Sequence, residues 1–295
     1  MSEKNVSRSI ANIVDSVRTL EGGGFMVRRP FPTKTLDHYD PFLLLDEMGP
    51  MEVDPGEAKG APDHPHRGFE TVTYLLSGGM EHKDSQGNTG RLNPGDVQWM
   101  TAGSGVVHSE LPTEEMLEHG GLMHGFQLWV NLPKAHKMTA PQYQEIPASK
   151  IPSAESDDGL VQVKVIAGEA FGAKAVINTF TPISYLHFTV KPGGSVTQKI
   201  PTAYNTFAYI FSGEGFFGEE KTEASEGDMV QFNHDGEQVV FSVDENSIHS
   251  LELLLLAGQP LNEPVMRYGP FVMNTKEELL QAVYDYQSGL LGAKL

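Results

Sequence analysis

The sequence predicts an all-β fold of two similar barrels in tandem, and two observations lead to this prediction. Between residues 64 and 132, short apolar segments alternate with turns, in a chain that holds 31 Gly and 19 Pro. Strands that recur about every ten residues with such turns between them are typical of sandwiches and closed barrels. The second observation is a weak internal repeat, because residues 75–79 and 94–99 resemble residues 210–214 and 226–232. We therefore expect two copies of one barrel.

Composition and charge narrow the classes of function. The 295 residues, of which 39% are hydrophobic and 9% aromatic, suffice for two packed domains and exclude global disorder. The chain has no cysteine, so any metal site must use histidine or carboxylate ligands. The formal net charge of -18 disfavours direct binding to nucleic acid or to an anionic membrane surface.

The sequence contains no evident targeting or membrane-spanning segment. Its first residues form a polar mixture without the apolar region of a signal peptide. The longest apolar run, residues 251–257, is interrupted by Glu252 and is far shorter than the ~20 residues that a spanning helix needs. A soluble, cytoplasmic protein is therefore expected.

The first predicted elements are two strands. Three glycines at residues 22–24 predict a turn before a strand at 25–30, and no phosphate-binding motif follows them. Residues 41–48 predict a buried strand that ends in Asp46 and Glu47, which are expected to be solvated.

Further strands and one helix complete the two predicted domains. Strands are predicted at residues 71–76, 80–84, 97–101, 125–132, 161–166, 185–190 and 207–211. The proline-rich stretch between the two series predicts a connection between domains. The predicted division is a first barrel at residues 1–135, a linker at 136–160 and a second barrel at 161–295.

A closing helix is predicted near residues 275–290. Asn274 and Thr275 are candidate N-caps, with glutamates three residues further on at the spacing of a capping box. An apolar stripe at helical spacing follows, formed by Leu279, Val283, Tyr286 and Leu290. We expect this stripe to pack on the second barrel.

Two motifs in the first half carry the candidate chemistry. His64 and His66 lie two residues apart, as do His108 and Glu110. Because side chains alternate faces along a strand, each pair points to one face. Two such pairs facing each other in a barrel would bring together three imidazoles and one carboxylate. That set suits Fe(II), Mn(II), Ni(II) or Zn(II) and is too rich in nitrogen for Ca(II) or Mg(II).

A structural interpretation competes with this one. A single His-x-His motif is more often a surface pair or a satisfied core histidine, and a lone glutamate is usually solvated. The two motifs together favour a metal, because turn signals flank both of them in a β-rich chain. The second half has no matching pair, since His187, His234 and His249 are scattered, and its barrel is expected to hold no metal.

The motif segments resemble those of the pirin family, a branch of the cupin superfamily. The resemblance is carried by residues 63–72, 93–103, 105–110 and 269–275, and thus extends over most of the chain. It implies two tandem cupin (jelly-roll) barrels with a short C-terminal helix. It also implies one iron, most simply Fe(II), in the first barrel, with Mn, Ni, Zn and Cu as the alternatives.

The identity of the carboxylate ligand is the main ambiguity. Strand parity alone does not separate Glu70 from Glu110, although Pro65 and Gly68 could break the strand and turn Glu70 away. The family resemblance favours Glu110 and leaves Glu70 in a supporting role. His124 also falls in a pirin-like segment, but a single histidine before a strand is not assigned as a ligand.

Four protein ligands would leave two positions open on a six-coordinate metal, as a catalytic metal requires. Glu110 is the ligand able to act as a base toward a substrate hydroxyl. The resemblance implies quercetin 2,3-dioxygenase activity on an aromatic flavonol with O₂. The alternative that it implies is a non-enzymatic, iron-dependent redox sensor that binds a transcription factor or a metabolic enzyme. Phe69, Trp99, Met100 and Phe126 could line a substrate pocket, although strand residues of this kind are usually plain core.

Overall fold

The structure is a computed structural model and describes residues 6–292. Within that range the regular secondary structure is mostly β-strand, with two α-helices and two short 3₁₀ helices. The all-β prediction is therefore confirmed. No helix in the described range is long and apolar enough to cross a membrane.

The elements of the first half of the chain are twelve strands, one helix and one 3₁₀ turn. They are β1 (Ile10–Asp15), β2 (Val17–Glu21), β3 (Phe25–Phe31), β4 (Phe42–Val53), β5 (Ala61–His66), β6 (Phe69–Ser77), β7 (Met80–Asp84), β8 (Thr89–Leu92), β9 (Val97–Thr101), β10 (Val106–Pro112), α1 (Glu114–His119), β11 (Gly121–Asn131), the 3₁₀ turn Lys134–His136 and β12 (Gln142–Ile146).

The second half adds fourteen strands, a second 3₁₀ turn and the closing helix. They are the 3₁₀ turn Ala148–Lys150, β13 (Ser153–Glu155), β14 (Val161–Ala167), β15 (Glu169–Ala170), β16 (Ala173–Lys174), β17 (Ile183–Val190), β18 (Ser195–Lys199), β19 (Asn205–Ser212), β20 (Glu214–Phe217), β21 (Thr222–Ser225), β22 (Asp228–Phe232), β23 (Gln238–Ser242), β24 (Leu251–Gly258), β25 (Met266–Tyr268), β26 (Phe271–Met273) and α2 (Lys276–Gln287).

The chain divides into two compact units, and each contains one seven-stranded and one four-stranded sheet. The first barrel comprises Arg18–Ser149 and the segment from Leu261 onward. Its sheets have the orders β12-β9-β6-β11-β4-β3-β2 and β5-β10-β7-β8. The second barrel comprises the segment up to Val17 and Lys150–Pro260, with the orders β1-β22-β19-β24-β17-β14-β13 and β18-β23-β20-β21. The two sets of sheets match, as the internal repeat predicted.

The observed division corrects the predicted boundaries of 1–135, 136–160 and 161–295. Strand β1 pairs with β22 and so belongs to the second barrel. Part of the predicted linker is strand β12, which pairs with β9 at the edge of the first barrel. The tail from Leu261 returns to the first barrel. Local sequence patterns predict elements, but these assignments depend on pairings between residues that lie far apart in the chain.

The closing helix illustrates the same correction. Thr275 caps α2 and forms a capping box with Glu278, as predicted. However, the helix packs on the first barrel, where Ala282 joins a small core cluster with Phe271 and Leu291. An apolar stripe shows which face of a helix is buried but not which surface covers it. Tyr286 belongs to the predicted stripe but is 42% exposed.

The second barrel is filled with hydrocarbon. Its two sheets pack through side chains such as Val196, Phe241, Phe188 and Leu253, all fully or almost fully buried. The strand that offers Ser195 and Thr197 leaves both of them exposed and turns Val196 inward. The interior of this barrel is therefore a packed core.

Candidate metal centre

Three histidines of the first barrel converge because two of its strands are neighbours. Strands β5 and β10 pair antiparallel in the four-stranded sheet, with His64 directly opposite His108 and His66 opposite Val106. One ligand atom from each of His64, His66 and His108 lies within 4.8 Å of the others. The ring centroids are 4.4 to 5.0 Å apart. Strand alternation and antiparallel register together produce the cluster that the two motifs predicted.

Burial keeps two of these imidazoles neutral. His66 and His108 are 2% and 1% exposed. Loss of solvent, followed by the influence of the other two imidazoles, lowers the pKa of His66 well below its ordinary value. Burial also lowers the pKa of His108 to about 4, against the opposing effect of Glu110. Neutral imidazoles present the lone pairs that a metal needs.

Most ring nitrogens of this cluster lack a hydrogen-bond partner among the described residues. Among the described residues, neither ring nitrogen of His108 has a hydrogen-bond partner, and His66 meets the Pro270 carbonyl only outside hydrogen-bonding geometry. His64 Nδ1 lies 2.8 Å from the Pro62 carbonyl oxygen, which orients the ring and leaves Nε2 for other contacts. Buried polar atoms without partners are rare, so the cluster fits a transition metal that would bind them.

Glu110 lies beside the cluster but its carboxylate is not part of the 4.8 Å group. Thr73 Oγ1 donates to Glu110 Oε1 at 3.0 Å, and Gln127 Nε2 donates to Oε2 at 3.1 Å. Glu110, His64 and His66 line the same cavity. The structure therefore brings the three predicted histidines together and places the predicted carboxylate next to them, held by two polar neighbours that the sequence did not indicate.

Glu70 does not face this cavity. It accepts a hydrogen bond from Thr101 at 2.7 Å, and burial raises its pKa to about 7. It lies an odd number of residues from Thr73 on β6, so the two side chains point to opposite faces. The strand is interrupted between β5 and β6 at Gly68, which has a φ of +89°. Gly68 lies so close to Val272 that a Cβ would clash. This interruption removes the shared alternation of side chains that made Glu70 and Glu110 equivalent in the sequence.

Asp46 and Glu47 lie within strand β4 and are buried, whereas the sequence predicted a solvated strand end. Asp46 and Glu47 are 5% and 0% exposed because the adjacent strand β3 supplies a cation to each. Arg29 binds both carboxylate oxygens of Asp46 at 2.6 Å, and Arg28 reaches Glu47 at 2.9 Å. These pairs could have been predicted, because the sequence places two arginines and two acids on neighbouring predicted strands. His124 also reaches Glu47, at 3.0 Å, and is not in the histidine cluster.

A cavity of about 500 Å³ opens from the histidines. Its walls are largely apolar and also carry a group of charged residues. The wall residues include Phe25, Leu44, Met48, Met80 and Trp129, and the charged ones include Glu21, Arg29, Asp46 and Arg267. This volume lies within the range of small-molecule sites. The four residues Phe69, Trp99, Met100 and Phe126 do not line this cavity and are fully buried core.

Trp129 contacts both a histidine of the cluster and the charged residue Arg267. The Trp129 ring centroid lies 5.3 Å from the His66 ring centroid, and the Arg267 guanidinium carbon lies 4.9 Å from the Trp129 ring centroid. Arg267 Nη1 also donates to the Leu43 carbonyl oxygen at 3.3 Å. Arg267 was not predicted as a site residue, because the tail that carries it was assigned to the other barrel.

The sequence of this chain is similar to those of known proteins. The sequence model of the Pirin family matches residues 24–130, and that of the Pirin C-terminal cupin domain matches residues 185–292. A pirin-like protein of Solanum lycopersicum is 47% identical over 92% of this chain and 89% of its own length. Human pirin is 43% identical over 99% of this chain and 95% of its own length.

A solved structure provides a further comparison. The crystal structure of a quercetin 2,3-dioxygenase from Acinetobacter baumannii superimposes with a TM-score of 0.91 and 37% identity, and the match covers 98% of this chain and all of that one. The two barrels are thus tandem cupin domains, and the first can hold a metal at its three histidines. The chain belongs to the pirin family.

Proposed function

We propose that this protein is a metal-dependent dioxygenase acting on a flavonol such as quercetin. The metal, Fe(II) in the first instance, would be held by His64, His66 and His108 with Glu110 as the fourth ligand. The observation that supports this is a group of buried imidazole nitrogens without partners at the inner end of an open, aromatic-lined cavity. The similarity to a protein named as a quercetin 2,3-dioxygenase supports the same class of reaction.

The bound metal would supply a Lewis acid and a meeting point for a substrate oxygen and O₂. The remaining steps fall to the protein. Ring opening of a flavonol requires loss of the 3-hydroxyl proton, and Glu110 is the carboxylate that lines the cavity beside the histidines. Thr73 and Gln127 donate to its two oxygens and thereby fix its direction. Glu110 is thus the proposed base.

The cavity walls would orient the substrate. Trp129 and Met48 offer flat and deformable apolar surfaces for an aromatic ring. Among the charged lining residues, Arg267 provides N–H donors and the Arg29–Asp46 pair provides both donors and acceptors. Such a mixed set of groups suits the hydroxyl groups of a second ring, which both donate and accept hydrogen bonds.

The decisive experiment measures quercetin consumption under air by metal-free and iron-loaded protein of known metal content. We expect substrate loss and carbon monoxide release only when iron and O₂ are both present. Glu110→Gln should abolish turnover. Glu70→Gln is the matched control and should keep it, since Glu70 does not face the cavity.

Two outcomes would contradict the proposal. Equal substrate loss in the metal-free protein would be autoxidation of quercetin in solution. No turnover by iron-loaded protein, with an iron spectrum that quercetin leaves unchanged, would instead favour the regulatory alternative in which the protein senses the state of its iron and binds a protein partner.

A further inference from the structure

A second cavity of about 310 Å³ lies beside the metal cavity in the first barrel. Five of the chain's 12 methionines line it, together with Phe25. These methionines are Met26, Met48, Met51, Met80 and Met123. We call this space the methionine cavity. The proposed reaction does not use it.

The two cavities share a wall. Phe25, Met48 and Met80 line both of them. Met48 and Met80 are each 7% exposed, so they are buried between the two spaces. A methionine side chain has three rotatable bonds and no branch, so it can change rotamer at small cost when a neighbour presses on it. A ligand on one side of this wall will therefore alter the space on the other side.

The lining defines the chemistry of the occupant. Thioether sulfurs make favourable contacts with aromatic rings, and Phe25 adds an aromatic surface. The rim carries Glu52, Asp54 and Glu57 against the single cation Lys59. An anionic ligand would face this excess of carboxylates, whereas an uncharged aromatic molecule would not.

From these observations we infer that the methionine cavity binds an uncharged aromatic molecule and that the shared wall couples it to the metal cavity. Binding of the aromatic molecule does not depend on the proposed reaction. The coupling is between this molecule and the ligand that occupies the metal cavity. Coupling through one wall is reciprocal: occupancy of either cavity changes the affinity of the other by the same factor.

The binding test uses N-phenyl-1-naphthylamine, an uncharged fluorescent aromatic probe, titrated into the full-length protein. We expect one equivalent to bind, in metal-free and metal-loaded protein alike. The related anion 8-anilino-1-naphthalenesulfonate should bind more weakly because of the acidic rim. Met26→Asp, at a residue that is 44% exposed and hence tolerant of a charge, should weaken probe binding roughly tenfold by removing a sulfur contact and adding a carboxylate.

Met138→Asp is the matched control, because Met138 is 57% exposed and lines neither cavity. It should leave probe binding unchanged. A protein that does not bind the probe, that prefers the sulfonate, or in which Met26→Asp has no effect would overturn the assignment of the site.

Calorimetric titration of quercetin with and without saturating probe tests the coupling. Simultaneous binding, with both affinities shifted by one common factor, supports the shared wall. Strict competition would mean that the two spaces form one cavity, and unchanged affinities would mean that the wall does not move, so either result overturns the coupling. If quercetin fails to bind at all, the proposed function fails, while the probe titration still decides on the methionine cavity.

Discussion

Metal binding by this protein should tolerate acid, because two of the three histidines are buried. A proton competes with a metal for an imidazole nitrogen. For a histidine of ordinary pKa, the neutral fraction falls about 25-fold between pH 7 and pH 5. Two such histidines would weaken binding roughly 600-fold. Here burial lowers the pKa of His108 to about 4 and that of His66 well below its ordinary value. Their protonation should therefore weaken binding less than about twofold over the same interval.

Equilibrium dialysis of the full chain against Ni(II) at the two pH values, with metal analysis of both compartments, measures this ratio. Near-UV circular dichroism at pH 5 is the control that the fold persists. A loss of several hundredfold in a folded protein would refute the reasoning, since it would mean that His66 and His108 titrate as solvated histidines.

The same pKa values set the acid stability of the metal-free fold. Between pH 6.5 and 4 the unfolded chain binds a proton at His108 that the folded chain does not, so stability falls as the pH falls, by about 3 kcal/mol. Glu70 acts in the opposite direction. Its pKa is raised to about 7, so its contribution is present below the unfolded value and is lost as the pH rises toward 7. Glu70→Gln should therefore steepen the acid loss, as measured by urea unfolding at pH 6.5 and 5. An unchanged slope would contradict the burial of this carboxyl.

Three further predictions concern single contacts. Glu110→Gln should weaken metal retention on dialysis while Glu70→Gln leaves it intact; the reverse would make Glu70 the ligand. Asp285→Asn weakens the 2.8 Å ion pair to Arg67, the residue after His66, and should cost about 2 kcal/mol in urea unfolding and weaken metal binding. If only stability falls, the pair does not position His66. Thr275→Ala removes the capping box of α2 and should cost about 1 kcal/mol in the same assay with unchanged metal binding, and no loss would contradict the observed cap.

The histidine cluster was predictable because it depends on local rules. Alternation along a strand sets the face of His64 and His66, and the same rule sets that of His108. From the sequence, the two motifs were expected to face each other in the barrel, whereas the structure brings them together on neighbouring antiparallel strands, β5 and β10, of one sheet. The repeat of two barrels was predictable for a similar reason, since each copy carries its own turns.

What the sequence did not indicate depends on contacts between distant segments. The return of the tail to the first barrel places Arg267 over Trp129, and no local pattern near either residue points to the other. The parity argument treated Glu70 and Glu110 alike because it assumed an unbroken strand. The positive φ of Gly68 ends that strand, and the reason is its close approach to Val272 from the returning tail.

The two barrels differ in the cost of burying the side chains of their four-stranded sheets. A buried polar atom without a partner costs about 1–3 kcal/mol, and the ring nitrogens of His66 and His108 lack partners within the described range. That penalty is a large part of the 5–15 kcal/mol that typically separates folded from unfolded protein. The second barrel closes the corresponding sheet with Val196 and Phe241, which need no partner. The interior of a barrel of this kind can therefore be closed without histidines, and a metal held by the three histidines of the first barrel would offset the cost of burying them.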